Sequence, residues 1–212
     1  MKKAVIFLNG DKADVSRVKN EIDKDTLVIG CDGGAQHAID LEITPHVVLG
    51  DMDSITAELK KQLLKKNVQF ISFPAKKDNT DAELALLYVV EQGCSDIILT
   101  GILGTRIDHM LATINMLANP KFKTVNLRII EGDQDIYIVR KKIELIGKKG
   151  DIVSLISLKE SVSGITTKNL SYSLQGRTLR GYTTLGISNV MVKTTAEISL
   201  KKGFLLIIHT KQ

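Results

Sequence analysis

Apolar positions along residues 1–130 follow two alternating textures. Short runs rich in β-branched and aliphatic residues fall at 4–8, 26–31, 47–49, 68–73, 96–100 and 125–130. Between several of them, residues 55–66, 81–92 and 107–118 carry the spacing of amphipathic helices. In 81–92, Leu84, Leu87 and Tyr88 share one face, which Ala85 and Val89 widen. Strand runs alternating with helices of this length predict βαβ units and a mostly parallel sheet covered on both faces.

Past residue 130 the pattern changes. The runs at 136–139, 152–158, 189–192 and 204–209 are short and β-rich, and Gly147, Gly150, Gly164, Gly176, Gly181, Gly186 and Gly203 punctuate the stretch. No long amphipathic period remains, so this part predicts a small all-β sandwich or barrel-like domain. The change falls where Glu131-Gly132-Asp133 reads as a turn. The expected organisation is therefore an α/β domain over 1–130 followed by a β-rich domain over 131–212.

Composition narrows the function classes. With 43% hydrophobic and 25% charged residues, the chain of 212 is globular rather than disordered. Its net charge of +5 is unevenly distributed. Residues 1–125 hold 15 Lys+Arg against 17 Asp+Glu, whereas 126–212 hold 14 against 7. The basic excess belongs to the β-rich part, and with 4% aromatic residues and no Trp it has little material for stacking bases. No nucleic-acid partner is expected. Cys31 and Cys94 form no CxxC pair, which argues against a zinc site or a disulfide framework. The first apolar run stops after about five residues at Asn9-Gly10-Asp11, short of a signal-peptide core. No stretch approaches the ~20 apolar residues of a membrane span. A soluble, cytoplasmic protein is the expectation.

Four polar clusters lie where strand runs hand over to helices, the position at which open α/β sheets gather ligands. Cys31-Asp32-Gly33-Gly34 permits a tight turn and close backbone approach to an anion, and is also an ordinary strand-to-helix turn. Gly50-Asp51-Met52-Asp53-Ser54 brings two carboxylates to i and i+2. They can converge on a hard cation such as magnesium, or Asp53 can simply cap a helix. In Lys77-Asp78-Asn79-Thr80-Asp81-Ala82-Glu83, Thr80 and Glu83 fit a capping box, while Lys77, Asp78 and Asp81 suit a phosphate and its metal. The loop from Gly101 to Asp108 brings Arg106, a planar fork of donors for phosphate, to a helix start. Neither G-x-x-x-x-G-K-[ST] nor G-x-G-x-x-G is present. In the β-rich part, residues 183–189 (TTLGISN) can hydrogen-bond a polar heteroaromatic ligand or form a plain turn.

As an ordered set, these motifs resemble the thiamine pyrophosphokinase family. The likeness rests on Asp32-Gly33-Gly34-Ala35, on GDMDS at 50–54, on KDNTDAELAL at 77–86, on GILGTRIDHMLATIN at 101–115, and on Gly186-Ile187-Ser188-Asn189. It implies transfer of a pyrophosphoryl group from ATP to thiamine, giving thiamine diphosphate and AMP. It further implies Mg2+ and a homodimer with active sites at the subunit interface. Carried over by residue, Asp51, Asp53 and Asp81 become metal and catalytic residues together with Arg106. Asp32, Gly33, Gly34, Lys77, Asp78, Thr80, Arg106 and Asp108 become ATP-binding residues, and Ser188 and Asn189 thiamine-binding ones. Thr105 stands where the family often has glycine, Thr113 where it often has asparagine, and Val190 where an acidic residue often follows the Ser-Asn pair. A pyrophosphokinase acting on another heterocyclic alcohol such as a pterin, and a non-catalytic nucleotide- or thiamine-binding module, are the alternative readings.

Overall fold

The computed structural model describes residues 1–11, 14–74 and 78–212. The chain divides into two compact units, Met1–Gly132 and Asp133–Gln212.

In the first unit, six strands form a parallel sheet. They are β1 (Lys2–Phe7), β2 (Leu27–Cys31), β3 (Val47–Gly50), β4 (Gln69–Ser72), β5 (Cys94–Thr100) and β6 (Asn126–Glu131). They stand in the order β6-β5-β1-β2-β3-β4 and pair in parallel throughout. Ala4, Val5, Ile6 and Phe7 have no exposed surface, because a central parallel strand is covered on both faces and needs an unbroken apolar run. Four helices cross between the strands: α1 (Gly34–Asp40), α2 (Ala57–Lys65), α3 (Asp81–Glu91) and α4 (Ile107–Met116). Leu59 and Leu63, one turn apart on α2, pack with Ala35, Val48 and Val68. Val5, Phe7, Val28, Ile98 and Ile130 form a second cluster with Ala38 of α1 and Val18 of a 3-10 helix at Ser16–Glu21.

The strand order has a direct consequence. From β1 the chain steps outward through β2, β3 and β4, and then returns to place β5 on the other side of β1. The order therefore reverses between β1 and β5, and in open α/β sheets the crevice at the carboxyl ends of two such strands is where ligands bind.

The second unit is antiparallel. Strands β7 (Gln134–Val139), β9 (Ile152–Ser157), β12 (Asn189–Val190) and β14 (Leu205–Thr210) run in the order β12-β9-β14-β7. A second layer has the order β11-β10-β13-β8, from β8 (Lys142–Ile146), β10 (Ser161–Lys168), β11 (Arg177–Arg180) and β13 (Thr195–Ser199). Val153, Leu155, Leu205 and Ile207 of the first layer meet Leu145, Val162, Ile165, Ala196 and Ile198 of the second in one core. The expected class, a mostly parallel α/β fold followed by a small all-β sandwich or barrel-like domain, is observed, the β part with its strands in two antiparallel layers. No helix among the described residues is long and apolar enough to cross a membrane.

Candidate active site

Because β1 to β6 are parallel, their carboxyl ends share one rim, and the polar clusters of the first unit follow these ends. Asp32 follows β2 directly and takes a left-handed backbone conformation, φ 46°. Its N–H donates to the Leu49 carbonyl at 2.9 Å, and its Oδ1 accepts the Met52 N–H at 3.0 Å. The side chain thus reaches across to the loop after β3, which carries Asp51 and Asp53. Gly50 makes room for it, since a Cβ there would stand 1.8 Å from Asp32 Oδ1. Asp51 Oδ1 accepts the Asp53 N–H at 3.2 Å, which turns the loop back on itself.

The result is a group of three carboxylates. One oxygen each from Asp32, Asp51 and Asp53 lie within 4.8 Å of one another. Asp32 is buried, Asp51 half-buried and Asp53 exposed. Burial, and then the charges of Asp81, Asp51 and Asp53, push the Asp32 carboxyl up to about 6, against the pull of the Met52 N–H. Three hard oxygens crowded to that degree suit a hard divalent cation, which relieves their repulsion; magnesium takes such carboxylates together with phosphate oxygens and water.

The structure redistributes the residues singled out by sequence. Asp32, expected at the nucleotide, stands with Asp51 and Asp53. Asp81 lies outside the group of three but close enough to raise Asp32. It opens α3, whose N-cap Thr80 accepts the Glu83 N–H through Oγ1 at 3.3 Å, so the capping reading of Thr80 holds. Asp78 is exposed, and Lys77 lies outside the described residues. Gly33 precedes α1, and Gly34 opens it, where a Cβ would meet the Phe7 carbonyl oxygen at 2.3 Å. Arg106 occupies the N-cap position of α4. Its guanidinium pairs with Asp108 at 2.5 Å, both side chains exposed. That contact lowers the Asp108 carboxyl and raises Arg106.

Two carboxylates on the same rim escaped sequence reasoning. Asp11 follows β1 and accepts the Thr105 N–H at 2.8 Å. Glu131, the last residue of β6, is 2% exposed. Its oxygens accept the N–H groups of Asp14 at 2.9 Å and Ile102 at 2.8 Å. Burial raises its carboxyl more than those N–H groups lower it. The available signal was position: Glu131 directly follows an apolar strand run, as Asp32 does, and Asp11 follows one after Asn9-Gly10.

In the β unit, Ser188 is exposed at φ 56°, and its N–H donates to Ser154 Oγ at 3.1 Å. Asn189 is buried. Its Oδ1 accepts the Tyr172 N–H at 2.9 Å and its Nδ2 donates to the Tyr172 carbonyl at 2.7 Å. The Ser188 side chain faces solvent, while the Asn189 amide is committed to a clasp on Tyr172.

A family model described as the thiamin pyrophosphokinase catalytic domain matches residues 18–129, and one described as the vitamin B1 binding domain of thiamin pyrophosphokinase matches residues 137–205. Thiamine pyrophosphokinase of Bacillus subtilis (strain 168) is 29% identical to this chain over 212 residues, covering 99% of both. Thiamin pyrophosphokinase 1 of Caenorhabditis elegans is 25% identical over 222 residues, covering 95% of this chain and 86% of its own. Among solved structures, thiamine pyrophosphokinase from Bacillus subtilis superposes with a TM-score of 0.90 at 27% identity, with 100% of both chains covered. The Candida albicans thiamin pyrophosphokinase gives a TM-score of 0.83 at 14% identity over 99% of this chain and 89% of that one, a likeness of fold.

Proposed function

The chain belongs to the thiamin pyrophosphokinase family, and from that premise we propose that it transfers a pyrophosphoryl group from ATP to the hydroxyl of thiamine, forming thiamine diphosphate and AMP. The observation that carries the reading is the convergence of Asp32, Asp51 and Asp53 at the ends of two neighbouring parallel strands. A protein with no charge to neutralise gains nothing from placing three carboxylates so close.

On this reading Asp51 and Asp53, with Asp32, hold Mg2+, and Asp81 adds its charge from the start of α3. A magnesium ion held by these residues would supply the positive charge that offsets the phosphate oxygens of ATP, the main requirement of phosphoryl-type transfer. Arg106 turns its guanidinium from Asp108 to the phosphates and offsets charge developing on the transferred group. Gly33, Gly34, Asp78, Thr80 and Asp108 line the nucleotide region. Ser188 contacts thiamine, and Asn189 holds the adjoining segment. The thiamine hydroxyl oxygen bonds to the β-phosphorus of ATP as the bond from that phosphorus to the α-phosphate bridging oxygen breaks. AMP leaves with that oxygen, and Asp81 takes the hydroxyl proton. The first unit is then the catalytic, ATP-binding part and the β unit the thiamine-binding part, in a cytoplasmic homodimer with sites at the subunit interface.

The experiment is an incubation with ATP, Mg2+ and thiamine, followed by identification of both products. AMP with thiamine diphosphate supports the reading, whereas ADP with thiamine monophosphate overturns it. No thiamine-dependent product returns the choice to another heterocyclic alcohol or to a binding module. Asp53→Asn at saturating Mg2+ lowers turnover at least ~100-fold, equivalent to roughly 2.7 kcal/mol, if that carboxylate holds the metal.

A further inference from the structure

Where the strand order reverses, the ends of β1 and β5 are tied together by a set of bonds to which Glu131 contributes both carboxylate oxygens. The β1 exit and the β5–α4 loop run side by side there. The Leu8 N–H donates to the Thr100 carbonyl at 2.8 Å, and the Gly10 N–H to the Gly101 carbonyl at 2.9 Å. The two segments approach so closely that a Cβ on Gly10 would stand 2.2 Å from the Leu103 carbonyl oxygen. Asp11 Oδ1 then takes the Thr105 N–H, one residue before Arg106.

Glu131 comes from the neighbouring strand β6 and divides its two oxygens between these segments. Oε1 accepts from Asp14 and Oε2 from Ile102. Two more bonds fix the same corner from outside: the Gly132 N–H donates to the Asp14 carbonyl at 2.7 Å, and the Arg17 side chain donates through Nε to the Gly132 carbonyl at 2.7 Å. Among the described residues no cation pairs with the Glu131 carboxylate, and the charge facing it is that of Asp14. A carboxylate buried without a counter-ion is a costly way to stabilise a fold, and an apolar side chain of similar volume would serve a core better. What only an acceptor with two oxygens supplies is simultaneous anchorage of two N–H groups on two different loops.

We propose that Glu131 is a positioning residue for the transfer reaction: by bracing Asp14 and Ile102 together it sets the β5–α4 loop that presents Arg106 to the phosphates. Glu131 itself touches no substrate and acts through Arg106, with Asp11 and Thr105 forming the exposed arm of the same brace. The inference rests on the proposed function, because it is Arg106's part in transfer that the brace serves.

The test is a double-mutant cycle on thiamine diphosphate formation. Glu131→Gln keeps the volume but turns an NH2 toward a backbone N–H, so one arm of the brace is lost. The expected result is a kcat reduced at least about tenfold, with the thiamine KM within about twofold of native and the far-UV and near-UV circular dichroism unchanged. In the Glu131→Gln background, Arg106→Ala then costs at most about a tenth of the factor that it costs in the native background. Native kcat in Glu131→Gln, or losses that multiply independently, overturns the inference. Asp11→Ala removes the exposed arm without touching the core. If Glu131→Gln fails to fold, Asp11→Ala decides the question: coupling to Arg106→Ala supports the brace and independence overturns it. Failure of the native protein to form thiamine diphosphate would instead remove the proposed function. An active native protein with independent losses removes only the brace.

Discussion

Gly50→Ala perturbs the carboxylate cluster without deleting any of its acids. At Gly50, with φ +151°, an added methyl carbon would stand 1.8 Å from Asp32 Oδ1, 2.2 Å from its Cγ and 2.6 Å from Oδ2. Ordinary contact begins at 3.4 Å, so the Asp32 carboxyl must retreat by about 1.6 Å. It cannot retreat freely, because it is buried and bonded to the Met52 N–H. Overpacking of this kind costs ~1–3 kcal/mol. For a chain of this length, that corresponds to a fall in Tm of roughly 2–12 °C. The functional cost is larger, since a ligand misplaced by ~1 Å reduces catalysis about 100-fold. The assay pairs thiamine diphosphate formation at saturating Mg2+ with thermal melts of Gly50→Ala and of the double variant Gly50→Ala/Asp32→Ala. Removing the carboxyl that the methyl strikes relieves the clash but not the backbone strain of a side chain at φ +151°, so it restores only part of the lost stability and none of the activity. A Gly50→Ala protein with native kcat and Mg2+ dependence would refute the argument that the cluster is the metal site. A double variant no more stable than Gly50→Ala would refute the steric account.

Two further outcomes follow from titration and burial. Asp32 has its carboxyl raised from 3.8 to about 6, so between those values the folded protein holds a proton that the unfolded chain has released, and metal-free stability falls as pH rises through about 6. Magnesium displaces that proton, so the Tm gain on adding it is larger near pH 7.5 than near pH 5; equal gains would place the cation elsewhere. In the β unit, Asp151 and His209 are each 1% exposed and 2.8 Å apart. Asp151 also accepts the N–H groups of Lys148 at 2.9 Å and Gln212 at 3.0 Å. Burial opposes its charge, but these bonds win and its carboxyl is lowered. Its contribution is therefore present above the ordinary carboxylate range and lost as pH falls through the lowered value. Asp151→Asn turns an NH2 toward donors that the carboxylate accepted and costs about 2 kcal/mol in denaturant melts near neutral pH, and a variant of native stability would contradict that.

The strands of the first unit were legible because each is a run of apolar residues long enough to stand out, and β1, buried on both sides, is the clearest. Helix α1 was not delineated. It has seven residues and buries only Gly34, Ala35 and Ala38, too few turns and too little apolar mass to show a period. In the β unit, β8 reads Lys-Ile-Glu-Leu-Ile with a single buried position. In β10 the buried positions are Val162, Ile165 and Thr167, and a β-bulge where it pairs with β11 shifts the register between Val162 and Ile165, breaking the alternation that sequence could detect. The site divides in the same way. Asp51 and Asp53 announce themselves by adjacency after a strand. That Asp32 joins them depends on the empty place at Gly50, and that Glu131 reaches two loops depends on β6 lying beside β5. Both are matters of spatial order, which local spacing does not encode.

The charge imbalance carries the last step. The basic excess of residues 126–212 is largely spread over exposed side chains, and part of it is locally spent. Lys142 and Lys168 share Glu197 at 2.6 and 3.0 Å, and Lys211 lies 2.8 Å from Asp135. At physiological salt such surface charges are screened beyond ~8 Å. Thiamine is itself a cation, so a basic surface gives no attraction to it in any case. On the proposed function, its recognition must therefore come from fixed hydrogen-bonding groups, and the structure narrows which ones can serve. The Asn189 amide already makes two bonds to Tyr172, and Val190 supplies no carboxylate. The Ser188 side chain, by contrast, is held outward by its left-handed backbone and by the bond from its N–H to Ser154. On the proposed function the Ser-Asn pair thus splits its work: Ser188 is the member left open to the ligand, and Asn189 builds the surface that Ser188 stands on.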